Sequence, residues 1–331
     1  HNVMPVHAVP LWLSGMSHPF GHALQLEGIC SMHNQDRLVT RRLDASLLLA
    51  VLLFFLLAAI CQADTDRNHG LLWEISKPGI PPSYLFGTIH SEDPAVVNLP
   101  AAVQQAFAES GTIVLELLMD KDAMMYSATA MLMMDGRLLP GVIGQPLYDR
   151  VAPVIATRGI TEPVLSRMKP WAVAVTLSVP AQKTGQVLDL VLYQQALQQG
   201  KAVKGLETVQ EQLDLFDSMP EADQITLLSD AVEYFPELDA MYQQMLVAYR
   251  ARELGTLMRI NDSYKEKGDQ RMADDFQRRV IDERNLRMAQ RAEPLLQAGK
   301  AFIAVGALHL PGDTGLLNLL EQQGYRIRRI Y

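Results

Sequence analysis

Extended apolar segments gather at the two ends of this chain, and the stretch between them has the spacing of helices; that distribution limits the fold more than any other feature. Leu71–Ile75 and Ser83–Phe86 read as two strands of a hairpin. Between them Lys77-Pro78-Gly79-Ile80-Pro81-Pro82 is expected to be a turn that continues neither strand nor helix. A helix opens at Leu99-Pro100 and runs to about Glu109, with proline in its favoured first turn. Thr112–Leu118 is a strongly apolar third strand. From about 121 to 297 the pattern is mostly helical, as in Leu188–Gln199, Glu221–Phe235, Leu238–Ile260 and Asp269–Leu296, with one short strand expected within Gly200–Glu207. Ala301–Val305, a helix over Thr314–Gln323 and a last strand over Tyr325–Ile330 close the chain. The simplest architecture is one α/β domain whose central sheet draws on both chain ends and is flanked by helices, with a helical insertion in the middle.

The composition is that of a globular protein: 49% of the 331 residues are hydrophobic and 20% charged. A net charge of -8 argues against nucleic acid as a main partner, because phosphate binding needs a basic surface. Leu47–Ile60 is an unbroken apolar run, preceded by Arg37, Arg41 and Arg42 and followed by Cys61-Gln62-Ala63. That order is expected of a secretory signal over residues 32–63, cut after Ala63, with Met32 as the initiator and residues 1–31 an over-extended gene start. The competing expectation is an uncleaved anchor over residues 45–63. Either way the domain from residue 64 to 331 is expected outside the cytoplasm, periplasmic or extracellular, touching a membrane only through its N-terminal segment. Cys30 and Cys61 both precede that domain, which leaves it without disulfide or thiolate chemistry.

Three of the eight histidines remain beyond residue 63: His69, His90 and His309. His69 sits in the polar run Asp64–His69 and is expected to be solvated and mobile. The other two share one context, an apolar strand followed by Gly-x-x-His: Gly87-Thr88-Ile89-His90 and Gly306-Ala307-Leu308-His309. Glycine at a strand end permits a tight bend or the close approach of a ligand. Imidazole just beyond a buried strand stands where α/β folds gather binding groups, and it offers acid–base function or a metal-ligand nitrogen. Glu116 interrupts Thr112–Leu118, and strict alternation puts it on the face of Val114 and Leu118. A buried carboxylate needs a partner, either a cation bound with the histidines or an ion pair, for which Arg284 is a candidate. Two histidines and a carboxylate suit zinc, manganese, iron or cobalt.

Other residues carry weaker signals. Arg284-Asn285 lies in a helical charge run that normally faces solvent. Lys169-Pro170-Trp171 marks a pocket edge or a helix start, Glu207 after a short apolar stretch is a weaker site candidate or a surface carboxylate, and Met124, Met125, Met131, Met133 and Met134 read as core or pliable surface. The chain contains no Walker loop, GxGxxG, HExxH or Gly-x-Ser-x-Gly.

Taken in order, Leu85–His90, Val114-Leu115-Glu116, Gly205–Thr208 with Glu211-Gln212, Glu283-Arg284-Asn285 and Ala304–Leu310 resemble the TraB/GumN family, related to the Tiki proteins and more distantly to the ChaN and erythromycin-esterase groups. Gly312, Gly315, Leu316-Leu317 and Gly324-Tyr325 also fit, so the resemblance runs from about Leu71 to Tyr331. It implies a mixed-sheet α/β fold in which both Gly-x-x-His segments and the glutamate converge. The Tiki branch looks like divalent-metal-dependent peptidases. By that resemblance His90, His309 and Glu116 become metal-ligand and catalytic candidates, and Arg284 a group that orients them or the substrate. Gly87 and Gly306 would let the ion or substrate approach the backbone. The resulting expectation is an exported metal-dependent hydrolase, most simply a peptidase, acting on a peptide or small molecule. Two alternatives stand beside it: a non-catalytic binding protein for a peptide, a haem-like ligand or a saccharide, and a metal-free hydrolase with histidine as general base.

Overall fold

The computed structural model describes residues 67–118, 120–265 and 270–331. The expected signal, anchor and gene-start segments lie outside the described residues. Among the described residues no helix is long and apolar enough to cross a membrane.

Six strands form one mixed sheet: β1 (Leu72–Lys77), β2 (Ile80–Thr88), β3 (Thr112–Leu115), β4 (Ala202–Gly205), β5 (Ala301–Gly306) and β6 (Arg326–Arg329), in the order β4-β3-β5-β2-β1-β6. The sheet thus draws on both chain ends. β4, β3, β5 and β2 run parallel to one another, and β1 is antiparallel to β2 and β6. Every residue of β5 from Ala301 to Val305 is buried, as a central parallel strand requires. The helical middle lies between β3 and β5, and among the described residues β4 is the one strand inside it.

The apolar residues form two cores. One wraps the sheet around Phe86, Ile113 and Phe302. The other lies within the helices, around Trp171, Leu177 and Leu228. Trp171 stacks on Phe216 at 5.7 Å, and its indole N–H donates to Asp217 at 2.8 Å. The helix Pro170–Ser178 therefore begins at the proline, and Trp171 also faces the cavity described below, so both expectations for that segment are met. Met131 and Met133 belong to the second core, whereas Met125 and Met134 are exposed.

Four local expectations require correction. β2 begins at Ile80 and contains Pro81 and Pro82, so the turn is narrower than Lys77–Pro82. Gly79 makes it with φ +81. The prolines are tolerated because they precede Tyr84, where pairing with β5 begins, and lie opposite a register irregularity in β1. The segment Leu238–Ile260 is two helices, Leu238–Arg250 and Leu254–Lys265, separated at Arg252 in the left-handed region with φ 63. The Arg252 carbonyl accepts from the Gly70 N–H at 2.8 Å and its guanidinium lies 4.6 Å from the Tyr331 ring, which ties the break to the sheet. The long helix near the C-terminus is interrupted by a π turn, Arg278–Asp282, before Glu283–Ala298. His69 is only half-exposed, and its carbonyl accepts from Arg329 at 3.2 Å.

Candidate functional site

Each of the four neighbouring parallel strands delivers one polar side chain beyond its C-terminal end. Across the sheet these are Glu207 after β4, Glu116 after β3, His309 after β5 and His90 after β2. The carboxyl edge of parallel strands is where α/β sheets leave a crevice, since the chain must turn away there. Glu116, His309 and His90 line a cavity of about 230 Å³ at this edge, together with Arg284, Asp189 and Gln212.

β3 ends at Leu115, one residue before Glu116. The alternation argument for its face therefore does not apply, and Glu116 is aimed by two hydrogen bonds instead. Its Oε1 accepts from the Gly306 N–H at 2.6 Å and its Oε2 accepts from Arg284 Nη2 at 2.6 Å. The expected ion pair with Arg284 is present. A Cβ on Gly306 would stand 3.3 Å from Glu116 Oε1 and 3.5 Å from the His309 ring, so glycine keeps that approach open. Gly306 lines the cavity; Gly87 does not. A Cβ on Gly87 would stand 3.1 Å from the Ala307 Cα and 3.2 Å from Leu310, so the first glycine makes room for the second Gly-x-x-His turn rather than for a ligand.

His309 ends a single 3-10 turn, Ala307–His309, and is 4% exposed. Its Nδ1 lies 2.6 Å from Asn285 Oδ1, while Asn285 Nδ2 donates to the Thr314 carbonyl at 2.9 Å. The second bond orients the amide, so Nδ1 carries the proton and Nε2 the lone pair. Burial, aided by the nearby Arg284 charge, pulls the His309 pKa down to about 4 against the pull of Glu116. Neutral Nε2 faces Glu116 Oε1 at 3.7 Å.

His90 is set differently. Its Nδ1 lies 3.0 Å from Asp189 Oδ2, and Asp189 Oδ1 accepts from the Thr88 hydroxyl at 2.8 Å. Burial alone would lower the His90 pKa, but the Asp189 carboxylate outweighs it and raises it. Asp189 is held low in turn: His90 outweighs the effect of burial. The His90 carbonyl accepts from the Tyr242 hydroxyl at 2.7 Å, and the Leu188 N–H donates to the Ser91 carbonyl at 3.2 Å, docking the helix Leu188–Gln198 against the loop. Sequence reasoning missed Asp189. One aspartate in the first turn of a helix looks like favourable helix-end charge, and nothing local marks its partner.

Arg284 is 6% exposed, so the expectation of a solvated charge run fails at this position. The π turn before it widens the helix, and Val280, Ile281 and Arg284 all reach the cavity. Its Nε and Nη2 donate to Glu207 Oε2 at 2.9 and 2.7 Å, and Nη1 to the Val280 carbonyl at 3.3 Å. Burial works against the Arg284 charge, but Glu116 and Glu207 raise its pKa. Glu207 is not a surface carboxylate: its side chain is fully buried and also accepts from Gln212 and Arg287. Its signal in sequence is weak because Thr208 and Glu211, which follow it, are surface-type residues. They form a capping box at the start of the helix Val209–Asp217. Arg291 holds that box in place, and its hydrogen bonds draw Glu211 down to about 2.

The donor set bears on metal binding in two ways. His309 Nε2 and Glu116 Oε1 face each other with lone pairs and no proton between them, an arrangement that a cation reconciles, and Asn285 fixes the imidazole as outer partners of metal-bound histidines do. Among the described residues, however, no three His, Cys, Asp or Glu side chains are grouped to hold an ion. The fit is to a pair of ligands, with His90 turned toward Asp189.

The chain is 26% identical over 316 residues to "Metalloprotease TIKI2" of Danio rerio, covering 79% of this chain and 61% of that protein. It is 25% identical to "Metalloprotease TIKI1" of Homo sapiens, covering 81% of this chain and 64% of that protein. It is 24% identical over 270 residues to "Uncharacterized protein YbaP" of Escherichia coli (strain K12), covering 77% of this chain and 95% of that protein. This chain thus spans less than two thirds of those Tiki proteins and nearly all of YbaP. No solved structure matches. The model for the TraB/PrgY/gumN family matches residues 71–329, and the chain belongs to that family.

Proposed function

We propose that this protein is an exported divalent-metal-dependent hydrolase that cleaves peptide bonds at the carboxyl edge of its sheet. The observation that carries the reading is the facing pair His309 Nε2 and Glu116 Oε1, 3.7 Å apart. The names of the Tiki relatives support it from outside the structure. His309 and Glu116 would hold the cation. When bound, the cation supplies Lewis-acid polarisation of the scissile carbonyl and a more acidic water.

The chain's own residues supply the rest. Arg284 fixes Glu116 by a charge-assisted bond. With Oε2 held by Arg284, Oε1 beside His309 and the Gly306 N–H is the oxygen Glu116 would offer the cation. Asp189 at His90 Nδ1 raises the pKa of that imidazole, which suits it to deliver a proton to a leaving amine.

The His90–Asp189 pair gives a second reading some support: a metal-free hydrolase with His90 as general base. Peptide hydrolysis followed by mass spectrometry, on untagged protein before and after chelation, separates the two. Loss on chelation, recovery with Mn, Co, Zn or Fe, and absence in Glu116→Gln and His309→Ala support the metal reading. Activity that survives chelation and is lost only in His90→Ala supports the second. Stoichiometric peptide binding without turnover in any metal overturns both in favour of a binding protein.

A further inference from the structure

The cavity has two unlike walls. At the strand ends it is polar. Opposite, the helical layer presents Trp171, Val175, Phe216, Met241 and Val280. Arg284 is its one permanently charged cation among the lining residues, and Nε and both Nη atoms of that guanidinium already donate to Glu116, Glu207 or the Val280 carbonyl. Those bonds use four of its five N–H groups, and the single N–H left on Nη1 cannot receive a substrate carboxylate or phosphate by a bidentate pair. The volume, about 230 Å³, falls just below the roughly 300–1,000 Å³ of pockets that enclose drug-sized ligands, so it suits one bulky side chain.

Gln212 lies at the junction of the two walls and is 5% exposed. Its Nε2 donates to Glu207 Oε2 at 3.1 Å. That bond fixes the amide, because the opposite orientation would set its carbonyl against a carboxylate. Oε1 is then left buried without a hydrogen-bond partner. A buried, unpaired acceptor is costly unless something donates to it.

We infer that the cavity seats an uncharged, bulky apolar side chain of a peptide substrate against the helical layer, and that Gln212 Oε1 receives a backbone N–H of that same substrate segment. The inference rests on the cavity being a peptide site and adds the substrate class and one binding residue. Acidic side chains and a free C-terminal carboxylate are selected against, so cleavage falls inside peptides, next to residues such as Phe, Leu or Met.

The test reads binding, not turnover. N-acetyl-phenylalanine methylamide, its backbone N-methylated form and N-acetyl-aspartate methylamide are titrated into the full chain by ligand-observed NMR. The first binds, the aspartate compound does not, and N-methylation weakens binding roughly tenfold. In Gln212→Met the N-methyl penalty falls to about one-fold, a loss of discrimination that a merely structural role for Gln212 does not produce. Val175→Phe fills the apolar wall and shifts preference to the alanine analogue, with a loss of roughly tenfold to a hundredfold for phenylalanine. Equal binding of the aspartate compound, or an N-methyl penalty unchanged in Gln212→Met, overturns the inference. Binding as described without hydrolysis of any peptide overturns the hydrolase reading and leaves this one standing. Hydrolysis next to acidic residues does the reverse.

Discussion

Replacing Arg284 by methionine strands two carboxylates at once. Arg284 Nη2 serves Glu116 at 2.6 Å and Glu207 at 2.7 Å, and Nε adds a third bond to Glu207 at 2.9 Å. Methionine keeps most of the apolar stem and none of the donors. Glu207, fully buried, is left with Gln212 and Arg287, and Glu116 with the Gly306 N–H. Breaking a buried pair by removing one partner costs roughly 3–5 kcal/mol, about half or less of which a surface pair could account for. The sign with pH follows from the same charges. Protonating the two stranded carboxyls removes the unpaired buried charge, so the loss is largest at neutral pH and shrinks on acidification. Urea unfolding of the metal-free domain at pH 7.5 and pH 5 measures both parts. The expected deficit is about 3–5 kcal/mol at the higher pH, smaller at the lower, and partly recovered in Arg284→Met/Glu207→Gln. A deficit under about 1 kcal/mol, or one that grows on acidification, refutes the buried-network account.

His309 gives the opposite slope. Its unfolded pKa is near 6.5 and its folded value about 4, so its contribution is intact above 6.5 and is lost on acidification toward 4, about 3 kcal/mol in all; denaturation of wild type against His309→Gln across that window isolates it. Gly87→Ala pushes a methyl to 3.1 Å from the Ala307 backbone and is expected to destabilise by about 1–3 kcal/mol, which thermal unfolding measures. Gly306→Ala meets only the Glu116 carboxylate and a ring edge, and is expected to depress hydrolysis more than stability. The Glu92 carboxylate accepts the backbone N–H groups of Lys183, Thr184 and Gly185, beside the cavity residues Pro180 and Val187. Glu92→Gln is expected to speed hydrogen exchange at those three amides while leaving exchange in β5 unchanged.

What the sequence disclosed depended on how local each signal was. The strands were readable because Ala301–Val305 and Thr112–Leu115 are apolar runs bounded by turn residues, and parallel pairing demands that composition. Gly-x-x-His pointed to the site because glycine and histidine each have a narrow set of uses at a strand end. Charged residues whose partners lie far along the chain were not readable. Glu207 meets Arg284 across 77 positions, and His90 meets Asp189 across about a hundred; in sequence each looks like ordinary surface charge. The π turn at Arg278–Asp282 was hidden for a similar reason, since its residues are helix formers and only the register shift that carries Arg284 inward distinguishes it.

The central claim is that the strand-end cluster is a metal-dependent hydrolytic centre. Turnover of a defined mixture of apolar peptides by untagged protein, stripped of metal and reloaded with each divalent ion in turn, tests it most directly when wild type and His309→Ala are run side by side. The account predicts no turnover when stripped, recovery in at least one of Mn, Co, Zn or Fe, and none in the folded variant. Equal turnover with and without metal, or turnover undiminished in His309→Ala, contradicts it.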